Sequence, residues 1–343
     1  MIFKKPFFIA EISANHDGSI NKAKKLIKLA KKNGADAVKL QTYTPDTMTP
    51  KSNKNHFKIK KGLWKGYNLW DLYNKGHTPY SWHKELFEYA RKINIEIFST
   101  PFDETAVDLL ESLNCSFYKL ASFEITDYPL IKKISKTKKT IIISTGLADL
   151  KEIDFAYKYA KKNGAKEIIL LYCVSNYPSQ NDDFNLNNIK ILKQRFNCTV
   201  GFSDHSNNSQ IAFAAVAAGA EVIEKHIALE GKEKGLDYEF SLKGKEIKKF
   251  KDLLVKSYNL LGKKYFYRNK SENKNKFYRR SIFAIQDINP GDKFTKKNIK
   301  VLRPNLGISS LYYERILGKN SPLKIKCFDP IKLNIIKKLK FKV

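Results

Sequence analysis

The chain has 343 residues, 42% of them hydrophobic and 29% charged, with a formal net charge of +30. Such a length allows one large domain and a small one, and no apolar run approaches the roughly 18 residues of a membrane span. The lysines are spread along helix faces and are not interleaved with stacking aromatics. The charge therefore reads as a solvated surface able to draw in an anionic substrate, with a basic nucleic-acid-binding protein as the distant alternative.

Residues 7–12 predict the first strand. The basic, briefly apolar lead-in breaks at Glu11, too short for a signal peptide, so a cytoplasmic protein is expected. A turn rich in Ser, Asn and Asp follows. A helix over 21–33 then places Ala23, Leu26, Ile27, Leu29 and Ala30 on one face and ends at Gly34. Residues 37–41 predict strand two. An insertion over 42–79, rich in Asn, Lys, Gly and Trp, has the length of a lid or binding loop. Its aromatics Trp64, Tyr67 and Trp70 either cover a ligand or pack the loop itself.

Helix 80–92 leads to a strand over 96–99. Helices over 104–113, 129–136, 150–163, 186–195 and 209–218 lead in turn to strands over 117–121, 140–144, 167–173, 199–203 and 221–224. A last helix spans 244–261. Eight β/α units in about 260 residues predict a closed (β/α)8 TIM barrel. An open doubly wound sheet is disfavoured, because no G-x-G-x-x-G follows strand one. The barrel is expected over 1–262, a polar linker over 263–276, and a small β-rich domain over 277–343. The four cysteines form no C-x-x-C pair, so neither a zinc knuckle nor a disulfide frame is expected.

Catalytic groups of such barrels sit at the C-terminal strand ends. Those ends offer Glu11, Lys39, Gln41, Ser99, Thr100, Lys119, Ser122, Glu124, Ser144 and Thr145. The later strands add Ser175, Asn176, Tyr177, Ser203, Asp204, His205, Lys225 and His226. Each alone can be a cap or a satisfied core residue; eight polar ends on one rim are harder to read that way. Lys39 and Lys119 lie inside apolar runs and are costly to bury unpaired, so they call for anions. The hydroxyls of Thr100, Ser122, Ser144 and Ser203 suit phosphate or carboxylate oxygens. Two imidazoles, His205 and His226, with one or two carboxylates suit a divalent ion with open positions. The inventory asks for a small substrate carrying phosphate and carboxylate, a demand that phosphoenolpyruvate meets. His56, His77 and His83 are expected to be structural, and His16 to stand behind the metal ligands at most.

At these residues the chain resembles the sialic acid synthase family. The matching segments are I-A-E-I-S-A-N-H-D-G-S (9–19), A-D-A-V-K-L-Q-T (35–42), F-S-T-P-F (98–102) and Y-K-L-A-S-F-E (118–124). I-S-T-G (143–146), N-Y-P (176–178), G-F-S-D-H (201–205) and V-I-E-K-H (222–226) complete the set. Residues 281–288, P-G-D (290–292) and V-L-R-P (301–304) resemble the antifreeze-like (SAF) domain that ends these enzymes. Y-T-P-D (43–46), G-L-W (62–64), T-P-Y-S-W-H (78–83) and A-S-F-E (121–124) resemble its pseudaminic acid synthase branch. N-acetylneuraminate and legionaminate synthases, the alternatives, usually carry Gly where Phe123 stands.

The resemblance implies condensation of phosphoenolpyruvate with 2,4-diacetamido-2,4,6-trideoxy-β-L-altropyranose and water, releasing phosphate. It implies a divalent metal on His205 and His226, Mn2+ first, with Mg2+ or Co2+ as alternatives. Lys39, Thr100, Lys119, Ser122, Ser144 and Ser203 would bind phosphoenolpyruvate, with Ser175 a further substrate-binding residue. Gln41, Glu124, Tyr177 and Asp237 would bind the acetamido-hexose, and Glu11 would act near the metal and the water. Glu11, Lys119 and Glu124 are the expected catalytic groups. Phe277 and Arg303 would reach the active site of the other subunit of a domain-swapped homodimer, with neither nucleic acid nor membrane as partner.

Overall fold

Strand-sized runs such as T-I-I-I-S and I-I-L-L-Y-C carry no polar side of their own, so they must be covered on both faces. A computed structural model describes residues 6–231, 235–263 and 265–339 and shows how this is done. The strands are β1 (Phe7–Glu11), β2 (Ala37–Thr42), β3 (Glu96–Pro101), β4 (Phe117–Leu120), β5 (Thr140–Ser144), β6 (Ile168–Cys173), β7 (Thr199–Asp204) and β8 (Val222–Ala228). They pair in parallel in sequence order, and β1 pairs again with β8, closing the (β/α)8 barrel.

Amphipathic helices cover the outside. Helix Ile20–Lys32 buries Ala23, Leu26, Ile27 and Ala30 against the wall and starts at Ser19, whose hydroxyl accepts from the Lys22 N–H. Helix Leu150–Lys162 opens with a capping box between Asp149 and Glu152. Gly201 is demanded by close approach rather than by a turn. A Cβ there would lie 2.2 Å from the Val222 carbonyl oxygen, so any larger residue would push β7 from β8.

Strand β8 runs through Ala228, four residues past the end at 224 expected from its charges, and every residue in it is buried. Charge does not end the strand, because Glu224 and Lys225 each find opposite charge on their own side of the sheet. A short further strand, β9 (Leu242–Lys243), pairs with the end of β8.

The insertion over 42–79 carries its own structure, with helices at Pro45–Met48 and Leu69–Gly76 and a 3-10 turn at Asn55–Phe57. Both its ends are pinned by buried histidines. Thr42 Oγ1 lies 2.7 Å from His83 Nε2 and 2.6 Å from Ser99 Oγ, and Thr78 Oγ1 lies 3.2 Å from His16 Nε2. His16 packs edge-on against Trp82, which makes it an anchor of the insertion.

The chain divides into two compact units, Met1–Gly262 and Lys263–Val343. The second begins with a helical turn, Lys270–Asn273, inside the stretch expected to be a plain linker. Its core gathers Ile282, Ile288, Phe294, Ile299, Ile316 and Ile336 around an antiparallel pair, β10 (Ser281–Ala284) and β11 (Ile299–Leu302).

Candidate active site

Side chains alternate across a strand, so residues two apart share a face. Lys39 and Gln41 of β2, Thr100 of β3, Lys119 of β4, Ser144 of β5, Ser203 of β7 and Glu224 and His226 of β8 all take the inner face. Their contacts converge on Glu224. Its Oε1 accepts from Ser203 Oγ at 3.0 Å and lies 3.7 Å from Lys39 Nζ and 4.0 Å from Lys119 Nζ. Lys39 also contacts the Glu11 carboxylate and donates to Thr100 Oγ1 at 3.1 Å. Lys119 donates to Ser144 Oγ at 2.6 Å and to the Leu120 carbonyl at 3.2 Å. Ser122 Oγ and Ser175 Oγ are 2.9 Å apart beside them.

All four charged groups are buried. Burial opposes ionisation of Glu224, yet Lys119 and Lys39 overcome it and hold its carboxyl below the usual range. Burial likewise opposes the charge on Lys39, but Glu11 and Glu224 outweigh it and raise its pKa. Lys119 has less support, and burial lowers it despite Glu224. Glu11 is pushed up to about 7, chiefly by burial, with Lys39 pulling it partly back. Two lysines therefore share two carboxylates of unequal strength, Glu224 held ionised and Glu11 poised near 7, an arrangement that can give up pairing to a small polyanion.

Glu224 was not among the candidates read from the sequence. The alternation signal was present: in V-I-E-K-H, Glu224 shares the inner face with His226, whereas Lys225 takes the other. Lys225 accordingly pairs with Asp204 at 3.0 Å, both almost fully buried, and donates to the Ser206 carbonyl. These two strand-end candidates form a structural pair on the outer side of the wall. Ser13 was missed too. It sits at a left-handed φ of 47°, its N–H donates to Glu11 Oε1 at 2.7 Å, and its hydroxyl donates to Asp237.

The imidazoles of His205 and His226 lie with ring centres 5.7 Å apart. His205 Nδ1 lies 2.9 Å from the Val174 carbonyl, which makes Nδ1 the protonated nitrogen and Nε2 the one with a lone pair, met only by the Ser203 hydroxyl at 3.5 Å. His226 Nδ1 is buried without a hydrogen bond, 3.6 Å from Asp237 Oδ2. Burial drives both rings towards the neutral state, His205 to about 4 and His226 well below its ordinary value. Two neutral rings, one with an orphaned nitrogen and one with a fixed tautomer, fit a divalent ion that takes its remaining ligands from substrate and water. Among the described residues no three His, Cys, Asp or Glu side chains converge as a complete ligand set.

Next to the pair lies a cavity of about 390 Å³, lined on the barrel side by Gln41, Glu124, Tyr177, His226 and Asp237. Burial raises Glu124 to about 7, offset in part by Lys119, and its Oε2 makes no hydrogen bond. Burial also raises Asp237, with Ser13 opposing. Phe123 lines the cavity at 60% exposure, and the Tyr177 ring lies tilted with its centre 4.4 Å from that of His205. Trp64 lines the cavity as well. Trp70 instead donates its indole N–H to Asp46 within the insertion. Phe277 and Arg303 are both exposed on the C-terminal unit.

The fold and its inner face define a TIM-barrel enzyme with two buried lysines on the same face as a pair of buried imidazoles. The chain belongs to the NeuB family, whose model matches residues 26–265, and it carries a SAF domain over 279–326. It is 41% identical to the pseudaminic acid synthase of Helicobacter pylori, covering 98% of this chain and 99% of that one. It is 40% identical to the N,N'-diacetyllegionaminic acid synthase of Campylobacter jejuni, over 92% and 96%. The N-acetylneuraminic acid synthetase of Leptospira borgpetersenii superposes with a TM-score of 0.72 at 31% identity, over 79% of this chain and 90% of that one. Among the described residues no helix is long and apolar enough to cross a membrane.

Proposed function

We propose that the chain acts as a pseudaminic acid synthase. It joins C3 of phosphoenolpyruvate to the aldehyde carbon of open-chain 2,4-diacetamido-2,4,6-trideoxy-β-L-altropyranose, adds water at C2 and releases phosphate with C–O cleavage. The observation that carries this reading is the cluster in which Lys39 and Lys119 share Glu224, on the same inner face as Gln41 and His226, which line the cavity.

The lysines, with Thr100, Ser122, Ser144, Ser175 and Ser203, bind the phosphate and carboxylate and fix C3 towards the cavity. Gln41, Tyr177 and Asp237 orient the sugar. Glu11 is poised near neutrality beside Lys39 and takes a proton from the water that adds at C2. Glu124, equally poised, serves the sugar end. A divalent ion held by His205 and His226, Mn2+ before Mg2+ or Co2+, supplies Lewis-acid polarisation of the aldehyde when bound. Residues 1–262 form the catalytic domain and 277–343 the antifreeze-like domain. Through the segment 263–276, Phe277 and Arg303 serve the barrel of a second copy in a domain-swapped homodimer. The reaction runs in the cytoplasm, where phosphoenolpyruvate is available.

Phosphate release from phosphoenolpyruvate, assayed with the three candidate acetamido sugars, tests the reading. Turnover is expected with the altro-configured 2,4-diacetamido sugar, to be abolished by chelation and restored by Mn2+. Full activity of His226→Ala, or preference for another sugar, overturns it.

A further inference from the structure

The cavity beside the imidazoles has two unlike walls. The barrel side is polar and ends in His226 and Asp237. The opposite side comes largely from the insertion and is mainly apolar: Met48, Ile59, Leu69 and Leu72, continued by Phe102 and Leu236, with the rings of Tyr43 and Tyr73 among them. Met48, Ile59, Leu69 and Phe102 are only part-buried, so their apolar surface faces the cavity rather than a core. Large apolar surface turned towards a hollow next to reacting groups points to a ligand surface of the same kind.

The wall is also rigid. Tyr43 is held edge-on between Tyr73 at 5.9 Å and Phe102 at 5.3 Å. Gly76 ends helix Leu69–Gly76 where a Cβ would lie only 3.3 Å from Ala14, Leu236 and the Tyr43 hydroxyl, so the helix seats closely against its neighbours. Trp64 closes one end, donating its indole N–H to the Leu236 carbonyl at 3.1 Å with its ring 5.6 Å from Tyr177.

We propose that this wall reads the methyl-bearing side of the sugar, its C6 methyl and acyl methyl groups, and so rejects sugars that keep hydroxyls at C4 and C6. The inference rests on the synthase reading and adds the device that selects the sugar. A methyl set against Met48 and Ile59 leaves water for a surface of its own kind. A hydroxyl in the same place loses water and finds no hydrogen-bond partner in the Met48 and Ile59 side chains. Discrimination of this type in an apolar pocket spans roughly 10–200-fold in kcat/KM.

The test compares a 2,4-diacetamido-2,4,6-trideoxy sugar with a 2-acetamido sugar keeping both hydroxyls, in the wild type, Met48→Gln and Ile59→Thr. The ratio of kcat/KM values is expected to fall about tenfold in each variant, with KM for phosphoenolpyruvate unchanged. Calorimetric binding of the two reduced, unreactive alditols gives the same ratio without turnover. An unchanged ratio in correctly folded variants, or no wild-type preference in binding, overturns the inference. Absence of phosphate release with every sugar, alongside the expected shift in alditol binding, overturns the synthase reading and keeps the inference.

Discussion

Two sets of buried charges flank the same strand and behave oppositely. On the inner face of β8, Glu224 faces Lys39 and Lys119 at 3.7 and 4.0 Å, with its second oxygen making no hydrogen bond. On the outer face, Lys225 meets Asp204 at 3.0 Å, and Asp204 Oδ1 also accepts from the Ser206 N–H. The outer set is a closed one-to-one pair. The inner set is branched instead: Lys39 contacts Glu11 closely and shares Glu224 with Lys119 at the looser distances of 3.7 and 4.0 Å, on the face that also carries His226 of the cavity wall. Burial of charge alone does not mark a site; burial of charge left incompletely paired, beside space for a ligand, does.

Breaking the outer pair is expected to have the largest effect on stability. Asp204→Asn leaves the Lys225 ammonium buried without its counterion, at a cost of about 3–5 kcal/mol. The double variant Asp204→Asn/Lys225→Met removes both charges and is expected to recover most of that loss. Denaturant unfolding of the two variants measures the difference, and equal losses in both would show that the pair does not act as a pair.

The inner set should respond in the opposite sense. Lys119 is held against its own burial, so Lys119→Met is expected to leave stability unchanged or higher. It removes an ammonium aimed at substrate charge, and kcat/KM for phosphoenolpyruvate is expected to drop about 10²–10³-fold. Turnover within a fewfold of wild type would place Lys119 with the structural charges of the outer face.

The same contrast explains what could be read in advance. The barrel was legible because eight apolar runs separated by amphipathic stretches admit few other arrangements. Lys39 and Lys119 stood out as charges inside apolar strands. Glu224 did not, because the expected strand ended on it and its partners lie on β2 and β4, far away in sequence. Lys225 and Asp204 looked equivalent to their neighbours until alternation was applied from a known strand register. The apolar wall of the cavity was not legible at all. It depends on two short helices inside the insertion, whose packing is set by tertiary contacts such as those at Gly76 rather than by local pattern.

A third kind of buried titratable group gives the smallest expected effect. His16 and His83 hold the two ends of the insertion, and burial lowers each to about 4. At His16 burial outweighs the pull of the nearby Asp17 carboxylate, and at His83 it outweighs the Pro79 carbonyl, whereas the unfolded chain takes up both protons near pH 6.5. The unfolded state therefore binds more protons across this window, so stability falls as pH drops from about 6.5 towards 4 and is unaffected by these groups above it. The loss reaches the order of 2–3 kcal/mol per histidine at the acid end. His83→Gln keeps a hydrogen-bonding side chain for Thr42 without the titration, so its stability should depend less steeply on pH between 6.5 and 4. Urea midpoints measured across that range would test this, and parallel slopes for the wild type and the variant would assign the acid sensitivity to other groups.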